Sequence, residues 1–345
     1  MCNSTIAVFD SVTQQTIIYF GFSLFILGLI GNLLTLLVFL SLETFRQNSC
    51  AFYLTIMSFI NTFHLFTGLL TFIMINGFKI NWTDASVAYC KFRAFYIQTC
   101  AMISLSCMCL ATVDQFLATQ SNRRWHRFNS IKVARSVVTG IAICVTAYCI
   151  PFLVYRGHTT SSSTGQAICD ITNNVFASYR IFHNSFLAGI IPLLIMSIFG
   201  LLAYRNVQQI AYRTIPLVRR ELDKQLTSMV LIQIFYNVLA ITPSLTVGLY
   251  YLILDKTLDA CSKTILNILL NLLAVIYYFY YVVRFILYLR MCIEKIPSST
   301  DLRIIYSACE SFSPTQQSNQ TRSTVTPPPL NAPCTHVTLS QYKRK

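Results

Sequence analysis

The chain has 345 residues, of which 54% are hydrophobic and 11% charged, and its formal net charge is +14. An ordinary soluble domain carries about 25% charged residues, so this composition argues against a soluble fold and indicates a membrane protein. The positive charge does not indicate nucleic-acid binding, because the Lys and Arg residues form short clusters between apolar runs rather than one basic face.

Seven intervals without a charged side chain divide the sequence, and each has at least twenty residues. About twenty helical residues cross ~30 Å of hydrocarbon, and runs of this length exclude the strands of a membrane barrel. We therefore predict an all-α membrane protein with a seven-transmembrane helix bundle. The predicted helices span about 17–41, 50–76, 88–120, 132–155, 182–206, 223–254 and 262–290.

The distribution of basic residues predicts the orientation of this bundle. Eighteen of the 26 Lys and Arg residues lie in loops 43–49, 121–135 and 205–224 or in the tail from Arg290 onward. By the positive-inside rule this side is cytoplasmic, so the N-terminus lies outside.

The segment 1–16 is predicted to be extracellular and, since it has no basic region, not to be a cleavable signal peptide. Two sequons on the predicted outside, at Asn3 and Asn81, are candidate glycosylation sites.

The first two helices carry polar side chains at mid-depth, Asn32 in the first and Asn61 and His64 in the second. One interpretation is that each forms an ordinary interhelical hydrogen bond. The other is that Asn32 and Asn61 belong to one polar network, and the sequence leaves both open.

The third helix begins near Cys90, has no charged residue between Ala94 and Val113, and ends at Asp114. Three cysteines lie on the oxidising side near helix ends or in loops: Cys90, Cys169 and Cys261. Cys2 is a fourth candidate for disulfide formation. We predict a disulfide between Cys90 and Cys169. Such a bond would hold the long loop 156–180 over the outer mouth of the bundle.

The seventh helix contains Arg284, a charge that costs several kcal/mol in the membrane unless it is paired or hydrated. It either hydrogen-bonds to Asn61 or Asn32 or extends to the cytoplasmic headgroups. Beyond the helix, Cys292 is a weak candidate for palmitoylation. Residues 296–345 are rich in Ser, Thr, Pro and Gln and are predicted to be a disordered cytoplasmic tail, either phosphorylated or inert.

Several landmarks together resemble the rhodopsin-like (class A) family of G-protein-coupled receptors over about residues 17–295. They are Gly31-Asn32, the spacing from Cys90 to Asp114, the lone loop cysteine Cys169, Pro192 and Pro243. The resemblance implies a multi-pass receptor of the plasma membrane, surrounded by lipid, that binds an extracellular ligand and activates a heterotrimeric G protein. Kinases and arrestin would be partners of the tail.

The sequence departs from the family pattern at the motifs that take part in receptor activation in the family. The family's Asp-Arg-Tyr is Asp114-Gln115-Phe116 here, its second-helix Asp is Asn61, and its Asn-Pro-x-x-Tyr is the segment from Arg284 to Tyr288. The Tyr that the family usually has two turns after the proline of the fifth helix is replaced by Gly200 here. The resemblance assigns coupling and activation to Asp114, Gln115, Phe116, Arg123, Arg124, Pro243, Arg284 and Tyr288.

Two consequences follow for this chain. Gln115 cannot form the family's charge pair with Asp114, so we predict that Asp114 meets Arg123 or Arg124 in the next loop. The carboxylate of the family's sodium site is replaced by Asn61, so we expect ligand binding to be insensitive to sodium.

The ligand class is narrowed by exclusion. Amine receptors place an Asp where this chain has Ile97, and no Lys lies between Lys263 and Lys295 to bind retinal. An uncharged or peptide ligand remains, and the long outer loop favours a peptide. Candidate pocket residues, each also explicable as packing, are Tyr96, Gln98, Tyr179 and His183.

Other functions are less well supported by the sequence. The five histidines have no metal-ligand spacing, so we predict no enzyme, metal or cofactor. A transporter or channel would show several intramembrane charges, broken helices or an inverted repeat. The main alternative is a ligand-binding seven-helix receptor with weak or no G-protein coupling.

Overall fold

The structure, a computed structural model, describes residues 2–41, 43–120, 129–160, 165, 167–210, 217–254 and 260–294. Its helices, in chain order, are α1 (Cys2–Ser41), α2 (Glu43–Arg46), α3 (Ser49–His64), α4 (Trp82–Ala85), α5 (Val87–Thr119), α6 (Ile131–Val154), α7 (Asn174–Phe182), α8 (Ile191–Ile210), α9 (Leu217–Leu254) and α10 (Ala260–Glu294). Three wider π-helical segments continue these helices: π1 (Leu65–Leu70), π2 (Ile73–Gly77) and π3 (His183–Ile190).

Seven helical runs within the described residues are long and apolar enough to cross a membrane. They are Val8–Ser41, Ser49–Gly77, Val87–Thr119, Ile131–Val154, Val175–Gln209, Leu226–Val247 and Thr264–Val282. The prediction of a seven-helix membrane bundle is therefore confirmed.

The first helix begins earlier than the predicted boundary at residue 17. It starts at Cys2, within the segment 1–16 that we assigned to an extracellular N-terminal stretch. No Gly or Pro precedes Gly21, so nothing in the local sequence breaks the helix before the apolar run begins.

Polar side chains fix the starts of several helices. Asn48 accepts a hydrogen bond from the backbone N–H of Ala51 (3.1 Å), and Ser86 and Ser130 cap α5 and α6 in the same manner. A side-chain oxygen at this position satisfies one of the backbone donors that the first helical turn leaves free. The observed starts of α3, α5 and α6 lie within one residue of the predicted ones.

The third spanning helix, α5, is the central element of the bundle, since it packs against α3, α6, α8 and α9. Met57, Met108 and Met196 are fully buried in the core that these helices share. A second core lies between α1, the second spanning run and α10, and is centred on Leu65 and Tyr281.

Large apolar side chains cover the outside of the bundle. Ile143, Leu201 and Phe235 are each at least 60% exposed in the protein alone. In a membrane these side chains face lipid, because tails as apolar as leucine take the place of a protein partner.

A β-hairpin covers the end of the bundle at which α5 begins, which we call the Cys90 end. Strands β1 (Arg156–Thr160) and β2 (Ala167–Ile171) are antiparallel, and His158 pairs with Cys169. Cys169 forms a disulfide with Cys90, as predicted. The opposite end, where α5 finishes, we call the Asp114 end.

Side-chain contacts hold this hairpin down in addition to the disulfide. The backbone N–H of Cys169 donates to Asp84 Oδ1 (2.8 Å), and His158 Nε2 lies 2.8 Å from the carbonyl oxygen of Thr83. Both partners belong to α4, so the hairpin is fixed to the segment that precedes α5.

Candidate functional site

The Cys90 end contains a polar and aromatic cluster around His183, the first residue of π3. The side chain of His183 is fully buried. Its Nε2 lies 3.3 Å from Gln98 Oε1 on α5, and its Nδ1 lies 3.3 Å from the Tyr148 hydroxyl on α6. A neutral imidazole that is protonated on Nε2 satisfies both contacts, because Nε2 then donates to Gln98 and Nδ1 accepts from Tyr148.

Three of the four predicted pocket residues meet in this cluster. The Tyr179 hydroxyl donates to the backbone carbonyl oxygen of Tyr148 (3.1 Å), and the Tyr179 ring stacks on His183 with 6.5 Å between ring centroids. Tyr96 does not join them. Its ring stacks on Phe92 of the same helix, with 5.3 Å between ring centroids.

Sequence reasoning missed the residues of α6 that complete the cluster. The Tyr148 ring stacks on His183 at 5.5 Å, and Phe152 is buried against both His183 and Phe176. Tyr148 and Phe152 are four residues apart, a spacing that places both on one helical face. This spacing was visible in the sequence, but it does not show which neighbouring helix the face meets.

A second buried histidine, His64, is the last residue of α3 and packs against α10. His64 is 2% exposed and stacks on the ring of Tyr281 with 5.4 Å between centroids. Gly68, one turn later, makes room for it: a Cβ there would lie 3.2 Å from His64 Nε2 and 2.9 Å from the Tyr278 hydroxyl. Neither ring nitrogen of His64 has a hydrogen-bond partner among the described residues.

The two mid-depth asparagines have separate partners. Asn61 Oδ1 accepts from the Ser104 hydroxyl on α5 (2.6 Å), and Asn32 Nδ2 donates to the Gly28 carbonyl of its own helix (2.7 Å). Both are fully buried. Asn32 Oδ1 and Asn61 Nδ2 have no partner in the described part of the chain. The network through Arg284 stays a prediction, since the Arg284 side chain lies outside the described residues.

Asp114 is buried at the other end of α5, at 4% exposure. Ser49 Oγ lies 2.8 and 2.7 Å from its two carboxylate oxygens and 2.6 Å from Asn129 Oδ1. This contact connects α5 to the start of α3, and the Ser49 hydroxyl gives the buried Asp114 carboxylate a hydrogen-bond donor. The predicted partners Arg123 and Arg124 lie outside the described residues.

Gln115 and the residues after it connect α5 to α8 and α9. The Thr227 hydroxyl donates to Gln115 Oε1 (2.8 Å), and Asn206 Nδ2 donates to the Thr119 hydroxyl (3.3 Å). Phe116 packs edge-on against Phe199 of α8, with 5.4 Å between ring centroids. Each of these interhelical contacts is made by uncharged side chains.

Close packing of α8 on α9 begins at Gly200. A Cβ at this position would lie 2.7 Å from Ile234 Cδ1, so the absent side chain allows the helices to approach. Farther along α9, Pro243 lies inside the helix and has no backbone N–H to donate, and a proline in such a position allows a helix to bend. The sequence had marked both positions, Gly200 as a departure from the family pattern and Pro243 as a match.

The remaining predicted sites are placed as follows. Asn81 caps α4 by accepting from the N–H of Thr83. The side chains of Asn3, Tyr288 and Cys292 lie outside the described residues. No group of three His, Cys, Asp or Glu residues that could hold a metal ion occurs in the part of the chain that the structure describes.

Comparison with protein families matches residues 31–293 to the 7 transmembrane receptor (rhodopsin family). A comparison with curated proteins finds no match. The family match extends from the first spanning helix to the end of α10, so it includes the disulfide-linked hairpin and every interhelical contact of α5 described above. The chain belongs to the rhodopsin family of seven-transmembrane receptors and is a multi-pass membrane protein.

Proposed function

We propose that this G-protein-coupled receptor lies in the plasma membrane, binds its ligand at the Cys90 end and activates a heterotrimeric G protein at the Asp114 end. The observation that carries the proposal is that one helix, α5, takes part in the contacts at both ends. Gln98 contacts His183 at one end, and Gln115 accepts from Thr227 at the other. A ligand that shifts α5 relative to its neighbours therefore acts on both sets of contacts.

A peptide is the ligand that the Cys90 end favours. The two-stranded hairpin lies at this end, and the Cys90–Cys169 disulfide fixes its position. Backbone groups of a strand that have no partner can hydrogen-bond to an extended peptide, while pockets beside the strand take up the peptide side chains. A biogenic amine is disfavoured because Ile97 offers no carboxylate for an ammonium group.

Activation in this proposal opens the Asp114 end. The contacts of Thr227 with Gln115 and of Asn206 with Thr119 break as α9 and α8 move away from α5, with Pro243 as a bend. A neutral hydrogen bond contributes about 0.5–1.5 kcal/mol, roughly half of what a charged one contributes. The closed state is therefore weakly restrained, and we propose measurable signalling without ligand.

The basic loops 121–135 and 205–224 would contact the G protein, and the tail would contact kinases or arrestin.

A receptor that binds ligand but does not couple is the second candidate. The specific observation that favours it is that Gln115 is buried and hydrogen-bonded inward to Thr227, so this position presents no cation to a G protein.

An assay of G-protein activation separates the two candidates without knowledge of the ligand. Cells expressing the receptor with each class of Gα subunit are compared with cells expressing an equal surface amount of the Thr227→Val variant. A coupling receptor shows basal activation that rises in the variant. If neither form activates any Gα while both reach the surface, the non-coupling candidate is correct.

A further inference from the structure

Arg93 is a cation at the Cys90 end that none of the described carboxylates neutralises. It lies on α5 one turn after Cys90 and is half-buried. Its Nε atom is inaccessible to water and has no hydrogen-bond partner among the described residues, and no described carboxylate forms an ion pair with it. Holding a charge in such a place is unfavourable unless an anion compensates for it.

The surroundings of Arg93 are polar and extend into the bundle. Its charge acts on the hydroxyls of Tyr89 and Tyr278 and on the ring of His64. The Tyr278 hydroxyl and His64 Nε2 both lie beside Gly68, where a side chain as small as a methyl group would meet them. His64 is 98% buried and its nitrogens are unpartnered in the described part of the chain. Tyr278 and His64 are therefore polar groups that lie together beside π1 and interact electrostatically with Arg93.

Further positive charge lies close to Arg93. Burial lowers the pKa of the Arg156 guanidinium, the charges of Arg180 and Arg93 lower it further, and Asp170 opposes them. Arg156 therefore interacts electrostatically with both Arg93 and Arg180.

The described carboxylates near these arginines do not neutralise their positive charge. Asp170 lies 3.9 Å from Arg156 and is more than half exposed, so its interaction is screened by water. Both oxygens of Asp84 are already used, by the N–H of Cys169 (2.8 Å) and by Asn81 Nδ2 (2.6 Å). Among the described residues, the Cys90 end therefore has more positive than negative charge around the partly buried Arg93.

We propose that this end of the bundle binds an acidic group of the ligand, a carboxylate or a phosphate, with Arg93 as its counter-ion. Tyr278 donates a hydrogen bond to the acid, and His64 is the polar group at the base of the site. Arg156 and Arg180 attract the anion without contacting it. The inference rests on the proposed function for the existence of an extracellular ligand and specifies its chemical class.

The first test needs no ligand. Receptor purified in detergent is compared with Arg93→Met, which keeps much of the side-chain length and removes the charge. Lys91→Met is the matched control, since it removes an identical charge two residues away. A cation that awaits a ligand destabilises the empty receptor, so Arg93→Met raises Tm by at least about 2 °C while Lys91→Met leaves it unchanged. A lower Tm in Arg93→Met alone would show that Arg93 serves the fold, and would overturn the proposal.

The second test measures binding through the ligand-induced rise in Tm. The probes are matched pairs that differ in one acidic group: random short peptides with a free carboxyl terminus or its amide, oleate or methyl oleate, and oleyl phosphate or oleyl alcohol. At least one acidic member raises Tm and its neutral partner does not, and the pair that responds distinguishes a peptide from a lipid source. Arg93→Met weakens this binding by at least about thirtyfold, and Lys91→Met does not.

Equal binding of acidic and neutral partners, or binding by no acidic probe, contradicts the proposal. Both tests read stability rather than signalling, so they stay informative for a receptor that activates no G protein. Acid binding that depends on Arg93, together with no activation of any Gα, would retain this inference and reject coupling.

Discussion

Thr227 on α9 donates a hydrogen bond to Gln115 on α5 across 2.8 Å, and both side chains are at least 98% buried. This bond joins two helices at the end where the resemblance to receptors assigns coupling. Neither partner is charged, although the related receptors have an arginine at the place of Gln115. At this place the chain therefore has a neutral contact, worth about 1 kcal/mol.

Replacing Thr227 by Val should raise ligand-independent activation of the G protein. The variant keeps the shape of the side chain and removes the hydroxyl that Gln115 accepts from, so the closed state loses about 1 kcal/mol. A shift of this size changes the ratio of open to closed receptor by roughly fivefold. The measurement is basal nucleotide exchange on the Gα subunit at matched surface expression.

The control for this change is Thr112→Val on α5. Thr112 is also fully buried, but its hydroxyl donates to the Met108 carbonyl of its own helix (2.8 Å). Thr112→Val therefore removes a buried hydroxyl, as Thr227→Val does, but breaks no hydrogen bond between two helices. Equal effects of the two substitutions would show that the bond between α5 and α9 does not restrain the receptor.

Replacing Gln115 by Arg should lower basal activation. The new guanidinium lies next to Asp114, whose carboxylate now accepts from Ser49, and a charged pair is roughly twice as strong as the neutral contact that it replaces. The same basal assay measures the change. Basal activity that is unchanged in a well-expressed Gln115→Arg receptor would remove the support for a weakly restrained closed state.

Ligand binding should be insensitive to sodium between low and physiological concentration, with potassium as the matched control. Asn61 provides a carboxamide whose oxygen already accepts from Ser104, and none of the described carboxylates lies in contact with it to neutralise a sodium ion. Since an ion that binds the folded receptor raises its Tm, the Tm of the purified receptor in sodium and in potassium chloride at equal ionic strength shows whether a sodium site exists. A selective rise in sodium would show that the described polar groups suffice for a site.

The seven helices and the Cys90–Cys169 disulfide could be predicted from the sequence because each depends on a one-dimensional pattern. Uncharged runs of twenty residues and cysteines on the oxidising side are visible without knowledge of neighbours. The partners of Gln115 and His183 could not be predicted. Thr227 is 112 residues from Gln115, and the rotation of α9 that brings them together depends on close packing at places such as Gly200.

The α1 boundary shows a different limitation. A polar stretch before a membrane helix has the composition of an extracellular segment, yet the absence of Gly and Pro lets the helix continue outward to Cys2. Composition indicates where a chain leaves the hydrocarbon, but it does not show where the backbone stops being helical.

Loss of the disulfide should destabilise the receptor and reduce ligand binding. Cys90 and Cys169 are 79 residues apart, and closing a loop of this length contributes about 4 kcal/mol by restricting the unfolded chain. Cys169→Ala also frees the hairpin from α5. The measurements are Tm and surface expression, and Cys144→Ala, which removes an exposed free thiol, is the control. If both variants have the same Tm, the bond does not stabilise the Cys90 end.

The His183 cluster should behave as one energetic unit. Gln98→Leu leaves His183 Nε2 buried without its acceptor, which costs about 1–3 kcal/mol, while His183→Phe keeps a ring that can stack on Tyr148. In the double variant the orphaned donor is gone, so the combined loss is smaller than the sum by about 0.5–3 kcal/mol. Thermal unfolding of the four receptors in detergent gives this coupling energy. The control is Thr146→Val, an exposed change on α6, whose loss of unfolding free energy should add to that of His183→Phe. If the losses of Gln98→Leu and His183→Phe are also additive, Gln98 and His183 do not interact.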